Sequence, residues 1–313
     1  MEYLELIGGL ALLIISGKYL VDAAVDLSKR LGISSLIIGM TVVAFGTSAP
    51  ELLVSVSAAL KGIPEISLGN VIGSNIANIG LVLAITALIL PIPVQKNTVR
   101  IDWPIMMTSF ILLSLFMLGD TISRTEGLIF VLLLIAYIWW QIHIGRKEHK
   151  ENGSKKLPAK MPVWLSLTLI IITSIGLAKG ADWLVMGAAA IAHKLHVSER
   201  IISITIVAIG TSLPELTASV IAALKKQTDI SVGNIIGSNI FNIFSIIGIT
   251  ALLHPLHFNH VPFLMDIGAM IVIGLALGLT IYPFKSEYIK RSEGALLLVL
   301  YFIYMGLLLT IKF

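Results

Sequence analysis

Two glutamates, Glu51 and Glu215, lie inside long apolar stretches of the sequence, and the pattern Gly-Thr-Ser-x-Pro precedes each of them. A carboxylate at the centre of a membrane-spanning helix costs at least ~2.5 kcal/mol, so such a group generally faces the protein interior and has a function. Thr47 and Ser48 stand four and three residues before Glu51, which places all three side chains on one face of a helix. The second copy has the same spacing.

Further oxygen-bearing side chains lie in the apolar stretch that follows each glutamate. A serine and an asparagine are separated by four residues in both copies, so each pair shares a helix face. Ca2+ takes 6–8 oxygen ligands in flexible geometry, whereas zinc would need His or Cys, which these segments lack. Two carboxylates also match the charge of one Ca2+ or partly balance several Na+. The candidate side chains are Glu51, Thr47, Ser48, Ser74 and Asn78 in the first copy, and Glu215, Thr211, Ser212, Ser238 and Asn242 in the second.

Pro50 and Pro214 directly precede the two glutamates. Proline has no N–H and clashes with the carbonyl group four residues earlier, so a helix should kink or break at each proline. Backbone carbonyl oxygens released beside a carboxylate would be additional cation ligands. The pattern therefore predicts two distorted helices at the site.

The composition predicts that these helices cross a membrane. Of the 313 residues, 57% are hydrophobic and 13% are charged, against about 25% charged in an ordinary soluble domain. Because one crossing takes about 20 apolar residues, the length allows about ten spans and no sizeable soluble domain. The basic residues lie between the apolar stretches, which favours insertion in a lipid bilayer over binding of nucleic acid. The predicted spans are 3–26, 35–61, 66–90, 103–119, 125–145, 163–192, 200–224, 230–253, 262–283 and 293–311.

An internal repeat divides the chain into two halves. At a constant offset of 164, residues 41–51 match 205–215 at eight of eleven positions, and 66–78 match 230–242 at ten of thirteen. Equivalent spans are five crossings apart, and an odd separation inverts one copy relative to the other. The sequence thus predicts an all-α integral membrane protein whose ten transmembrane helices form two inverted-topology five-helix repeats, as in alternating-access transporters.

A polar segment separates the two halves. The predicted units are an N-terminal repeat at 1–145, a cytoplasmic linker at 146–160 and a C-terminal repeat at 161–313. With the linker in the cytoplasm, fifteen Lys and Arg residues lie on the cytoplasmic side and five on the other. This bias predicts a multi-pass protein of the cell membrane with both termini outside.

Several other features have structural explanations. The glycine pairs Gly69/Gly73 and Gly233/Gly237 favour close helix packing, and a buried glutamate alone could serve as a hydrogen-bond anchor. Charged residues in the first and sixth spans are expected to pair or to reach the membrane boundary, with a position along an ion path as the alternative. These residues are Lys18, Asp22, Asp26, Lys179 and Asp182.

Three histidines follow the eighth span at a spacing that is compatible with a metal site: His254, His257 and His260. No fourth zinc ligand is evident nearby, and a proline lies among them. We therefore expect an interfacial loop there.

The motifs GTSAPE and GSNIAN in the first half, and GTSLPE and GSNIFN in the second, resemble the two alpha-repeats of the sodium/calcium exchanger family. The resemblance implies electrogenic exchange of Na+ for Ca2+ at overlapping sites in the centre of the membrane. It also implies that the candidate side chains coordinate both ions and that the backbone carbonyls of Ala44 and Ala208 are further ligands. Asn78 and Asn242 would complete the site. Some K+-dependent relatives have Asp at the second of these positions, so Asn here disfavours K+ dependence.

Proton-coupled relatives typically have a GN-type start before the motif glutamate, whereas this chain has Gly-Thr-Ser. Na+ is therefore the expected counter-ion, and Ca2+/H+ exchange is the alternative. A non-transporting membrane scaffold or sensor is the hypothesis from another class. We expect no enzymatic activity and no cofactor, with Ca2+ and Na+ as transported ions and the monomer as the functional unit.

Overall fold

The computed structural model describes residues 1–151, 159–195, 208–282 and 288–310, and only the backbone at 145–151 and at Ala208. Helices make up most of this part of the chain. Within it, nine helices are long and apolar enough to cross a membrane. In chain order the helices are α1 (Glu2–Leu31), α2 (Ser35–Leu60), α3 (Pro64–Ile89), α4 (Thr98–Met117), α5 (Arg124–Glu151), α6 (Val163–Lys194), α7 (Leu213–Leu224), α8 (Thr228–Leu253), α9 (Val261–Ile281) and α10 (Arg291–Thr310).

Nine of the predicted spans coincide with these long helices. The predicted span at 200–224 is only partly described, because residues 200–207 lie outside the described ranges. Its remainder comprises a single turn at Ala208–Gly210 and the helix α7. The 12 residues of α7 extend about 18 Å, which is less than a bilayer core of roughly 30 Å. A count of ten spans therefore does not follow from the described helices alone.

Helices α3 and α8 form the centre of the bundle. In their most apolar windows 78% and 89% of residues are buried, compared with 22% in α5 and in α10 at the periphery. Both central helices change from α to π geometry at an asparagine that the sequence nominated, at Asn78–Leu83 and at Asn242–Ile247. The two π-helical turns are separated by the repeat offset. Such turns are rare and occur frequently at functional sites.

The two prolines have different effects on their helices. The α-helical part of α2 continues from Ala44 to Leu60 through Pro50 without interruption. Helix α7 begins at Leu213 and holds Pro214 in its first turn, where the missing N–H would have no partner within the helix. A break is therefore confirmed before Pro214, whereas at Pro50 the chain stays helical and no break occurs. One missing hydrogen bond does not interrupt a helix whose ladder continues on both sides.

Close packing of α8 on α2 depends on two of the predicted glycines. A Cβ atom at Gly233 would lie 2.5 Å from the Leu36 carbonyl oxygen, and one at Gly237 would lie 2.5 Å from the Met40 carbonyl oxygen. No side chain larger than hydrogen fits at either place. For the other predicted pair, Gly69 and Gly73, the equivalent partners would be residues 200 and 204, which lie outside the described ranges.

Helices α1 and α6 run antiparallel along each other. A Cβ atom at Gly187 would lie 2.6 Å from the Glu2 carbonyl oxygen, and one at Gly180 would lie 2.9 Å from the Leu13 nitrogen. At the other end, the Asp26 carboxylate accepts hydrogen bonds from the backbone N–H groups of Lys160 and Met161, at 2.6 and 2.8 Å. We call the line of close backbone contacts at these glycines the α1–α6 seam.

Two short antiparallel strand pairs join loops of the first half to loops of the second. The strands are β1 (Ile92–Pro93), which pairs with β4 (Tyr288–Ile289), and β2 (Thr121–Ile122), which pairs with β3 (Leu256–His257). Strands β1 and β3 are related by the repeat offset. Their partner strands, β4 and β2, are 167 residues apart, so the two halves make similar pairings that differ in register by three residues.

The α1–α6 seam predicts a large cost for the smallest added side chain. At Gly9 a Cβ atom would lie 2.5 Å from the Leu184 nitrogen, so Gly9→Ala should lower the free energy of unfolding by about 1–3 kcal/mol through overpacking. At exposed Gly268 no described atom lies within 4 Å of such a Cβ. Gly268→Ala is therefore the matched control, and we expect it to leave stability equal or slightly higher. Thermal unfolding of the two variants in nanodiscs tests this prediction. Equal unfolding midpoints would contradict close backbone packing between α1 and α6 at Gly9.

Candidate ion-binding site

Glu51 on α2 and Glu215 on α7 are buried, with exposed fractions of 3% and 1%. Ser48 Oγ donates a hydrogen bond to Glu215 Oε1 at 3.1 Å. This contact joins the first copy of the motif to the second, so helices from different halves of the chain share one site.

Thr47 connects α2 to α8. Its hydroxyl oxygen lies 3.0 Å from Asn234 Oδ1, 3.3 Å from the Ala44 carbonyl oxygen and 3.5 Å from Ser238 Oγ. A hydroxyl donates one hydrogen, and the shortest of these distances favours Asn234 as its acceptor. Two other predicted groups, from Ser238 and Ala44, therefore lie near the Thr47 hydroxyl, together with Asn234, which the sequence interpretation had not selected.

Asn234 and its equivalent Asn70 form a matched pair of supports. Asn234 Nδ2 donates to Ser219 Oγ at 3.0 Å and lies 3.4 Å from the Glu215 carbonyl oxygen. Asn70 Nδ2 donates to Ser55 Oγ at 3.1 Å and lies 3.3 Å from the Glu51 carbonyl oxygen. Each asparagine thus fixes the backbone of one glutamate. They lie in the repeated blocks 66–78 and 230–242. Their identity at the repeat offset was the feature of the sequence that could have predicted a role at the site.

The asparagines of the two GSN motifs were also missed. Asn242 Nδ2 donates to Asn75 Oδ1 at 3.1 Å, which joins α8 to α3. Asn75 and its equivalent Asn239 are both fully buried. Because each follows a predicted serine directly, helical spacing alone would have placed it on a different face of the helix. The crossing of α3 and α8 supplies the contact that the local pattern could not predict.

Several buried oxygens at this site have no hydrogen-bond partner among the described residues. An unpaired buried polar atom costs about 1–3 kcal/mol, so native proteins have few of them. An oxygen lone pair can be satisfied by a bound cation as well as by a donor. All six oxygens that follow belong to residues nominated from the sequence: Glu51 Oε2, Ser74 Oγ, Asn78 Oδ1, Ser212 Oγ, Glu215 Oε2 and Asn242 Oδ1.

Two further predicted residues occupy the edge of this cluster. Thr211 is half-buried and lines a cavity together with Glu51. Ala208 begins the short turn before α7, and the contacts of its carbonyl group are not described. The structure therefore buries ten of the twelve predicted residues in the centre of the protein and places Thr211 at the margin. The surroundings of Ala208 are not described.

A cavity of about 430 Å3 gives access to Glu51 between α2, α6 and the start of α7. Its lining includes Asn70, Thr211, Lys179 and Asp182. Lys179 and Asp182 form an ion pair at 3.3 Å with both side chains more than half exposed. They stand near the middle of the 32-residue helix α6, where exposed charges require water. The predicted ion pairing is confirmed, and both residues line the same cavity as Glu51.

The histidines after α8 belong to a loop, as expected. His260 Nδ1 lies 2.6 Å from Asp120 Oδ1, and His257 Nδ1 lies 3.1 Å from the Thr121 hydroxyl. The hydrogen bonds from the His260 side chain and backbone lower the pKa of the Asp120 carboxyl group. Among the described residues, no group of three or more His, Cys, Asp or Glu side chains could hold a metal ion. Hydroxyl and amide oxygens must therefore complete any cation site.

Comparison with known proteins gives one consistent result. The family model described as "Sodium/calcium exchanger protein" matches residues 2–143 and 165–310. The chain is 32% identical to the sodium/calcium exchanger MaX1 of Methanosarcina acetivorans, over 99% of both chains. It is 33% identical to the inner membrane protein YrbG of Escherichia coli, over 93% of this chain and 92% of that one. A structure of the sodium-calcium exchanger NCX_Mj soaked with Na+ and Ca2+ superposes with a TM-score of 0.82 at 34% identity, covering 100% and 99% of the two chains.

The two supporting asparagines provide a matched stability test. Asn234 is fully buried and bonds to groups on α2 and α7, so Asn234→Ala should lower the free energy of unfolding by about 1–3 kcal/mol. Asn70 is half-buried at the cavity, where water can replace its bonds, so Asn70→Ala should cost less. Thermal unfolding in nanodiscs without added Ca2+ compares the two, and an equal loss would contradict this interpretation.

Proposed function

The chain belongs to the sodium/calcium exchanger protein family, and from that premise we propose that it is a secondary active antiporter that exchanges Na+ for Ca2+ by alternating access. Members of such a family are exchangers rather than catalysts, and the protein is a multi-pass membrane protein. The proposed substrates are the two ions, which are cargo, and no cofactor takes part.

The observation that carries this proposal is the set of six buried oxygens, two of them from Glu51 and Glu215, that have no hydrogen-bond partner among the described residues. A site with two carboxylates and six available oxygens suits Ca2+, which takes 6–8 oxygen ligands. The same carboxylates can be neutralised by Na+ ions instead, so the two cations would compete. The proposed ligands are Glu51, Glu215, Thr47, Ser48, Thr211, Ser212, Ser74, Ser238, Asn78 and Asn242, with the carbonyl groups of Ala44 and Ala208.

We further propose ten transmembrane helices in two inverted five-helix repeats, at 1–145 and 161–313, joined by a cytoplasmic linker at 146–160. The α1–α6 seam supports the inversion, since α1 and α6 are related by the repeat offset and run antiparallel. The two loop pairings, in which β1 and β3 are related by that offset, support it as well. The proposed location is the cell membrane, with both termini outside, and the proposed functional unit is the monomer.

Ion binding can drive alternation through charge. With no cation bound, closing the cavity would remove two carboxylates from water, which is costly. A bound Ca2+, or bound Na+ ions, would neutralise the site and lower that cost. Closure and reopening on the other side would then occur with ions bound, and the α1–α6 pair would move relative to the buried helices α2, α3, α7 and α8.

A flux measurement separates the candidate functions. Liposomes that contain the purified protein and more Na+ inside than outside should take up 45Ca2+, driven by the exit of Na+. They should not take up 45Ca2+ when a proton gradient is the only gradient applied. Uptake that persists on a proton gradient without Na+ would favour Ca2+/H+ exchange. Absence of uptake with any gradient would favour the scaffold or sensor hypothesis.

Removing one carboxylate should abolish exchange. Glu51→Gln and Glu215→Gln should each lower Ca2+ uptake by more than about tenfold, since one charge beside Ca2+ in a buried site is worth more than about 1.4 kcal/mol. Glu65→Gln is the matched control, because Glu65 is exposed at the start of α3. Elution profiles and Ca2+-dependent thermal stabilisation distinguish lost binding from unfolding. Full uptake by either site variant would contradict the shared site.

A further inference from the structure

An ion pair closes the bundle at the end opposite to the cavity. Lys225, which follows α7, places its ammonium group 2.5 Å from Asp22 Oδ1 on α1. The same group donates a hydrogen bond to the Lys18 carbonyl oxygen at 2.9 Å. The end of α7 is thereby bound to α1.

Helix α1 also covers α7 between this ion pair and Glu215. A Cβ atom at Gly17 would lie 2.7 Å from Ile221 Cδ1 and 3.0 Å from Thr217 Cγ2. Glu215 is only 1% exposed behind this contact. The neighbouring part of α1 lies beside the end of the linker, because Asp26 accepts hydrogen bonds from the backbone of Lys160 and Met161. We call this closed region the linker-side portal.

The repeat offset identifies the corresponding region at the other end, the cavity-side portal. Thr217 corresponds to Leu53, which is 72% exposed, and Asp22 corresponds to Met186, which is 49% exposed and lines the cavity. Lys225 corresponds to Lys61. If α6 closed over α2 as α1 closes over α7, Lys61 would meet methionine in place of aspartate. The site is nearly symmetric, but its two portals are not.

We propose that Lys225 and Asp22 form a one-sided latch that holds the linker-side portal closed and thereby sets the side to which the ion site opens at rest. This role rests on the proposed alternating access. A partly exposed ion pair favours the closed portal by about two- to fivefold, and it weakens as salt screens the charges. An equilibrium between two portals shifts by that factor when the pair is removed.

The chain contains no cysteine, so single cysteines can report on each portal without further changes. Thr217→Cys reports on the linker-side portal and Leu53→Cys on the cavity-side portal. In nanodiscs both membrane faces are exposed to a membrane-impermeant maleimide. Adding Lys225→Met should raise the labelling rate at position 217 about two- to fivefold and lower it at position 53. Asp22→Asn should act in the same direction, and Lys225→Arg should retain the original rates.

Lys61→Met is the matched control and should change neither rate. High salt should speed labelling at position 217 in the protein with the latch, and it should have little effect with Lys225→Met. Unchanged labelling after Lys225→Met would overturn the latch, and so would a rise at both positions, which would reflect loosened packing. Ca2+ flux through the protein with its latch intact is measured in parallel. If Ca2+ flux is present and labelling is unchanged by Lys225→Met, only the proposed latch is overturned. If Ca2+ flux is absent, the proposed exchange is overturned.

Discussion

Two carboxylates inside a membrane protein are tolerable only if something neutralises them or satisfies their oxygens, and much of this structure can be understood from that constraint. The Glu215 carboxylate receives one hydrogen bond across the bundle, from Ser48. One oxygen of each glutamate has no partner among the described residues. The protein therefore supplies support at the backbone of each glutamate while leaving lone pairs of the carboxylates available.

The support comes from amide side chains in the most buried helices. Asn70 and Asn234 donate toward the carbonyl groups of the glutamates and to a serine one turn further along. A carbonyl group held from outside the helix keeps the following turn in place, which in turn orients the carboxylate. The same principle operates in metalloproteins, where outer groups orient the ligands. In the proposed site the outer groups are a buried and a half-buried asparagine, and the inner groups would be hydroxyls, amides and carboxylates.

Periodicity predicted much of this architecture from sequence. Runs of apolar residues predicted nine helices to within about six residues of their ends, and the duplicated motifs predicted that Glu51 and Glu215 are buried. Spacing within a helix could not predict contacts between helices, so Asn70, Asn75 and their equivalents were missed. The local rule for proline did not distinguish Pro214, where a helix begins, from Pro50, where the chain stays helical. Which portal is open could not be predicted either, because nearly identical repeats accommodate both arrangements.

The α1–α6 seam has a consequence for the efficiency of transport. Its glycines bring the two backbones into contact between Glu2–Leu13 of α1 and Gly180–Gly187 of α6. In the proposed alternation, two helices packed this closely would move as one rigid body, so a displacement that uncovers α2 at one end would cover α7 at the other. A conformation open at both ends would require the seam to separate. Uncoupled leakage of ions down their gradients would then be suppressed by helix packing alone, without a separate gate for each ion.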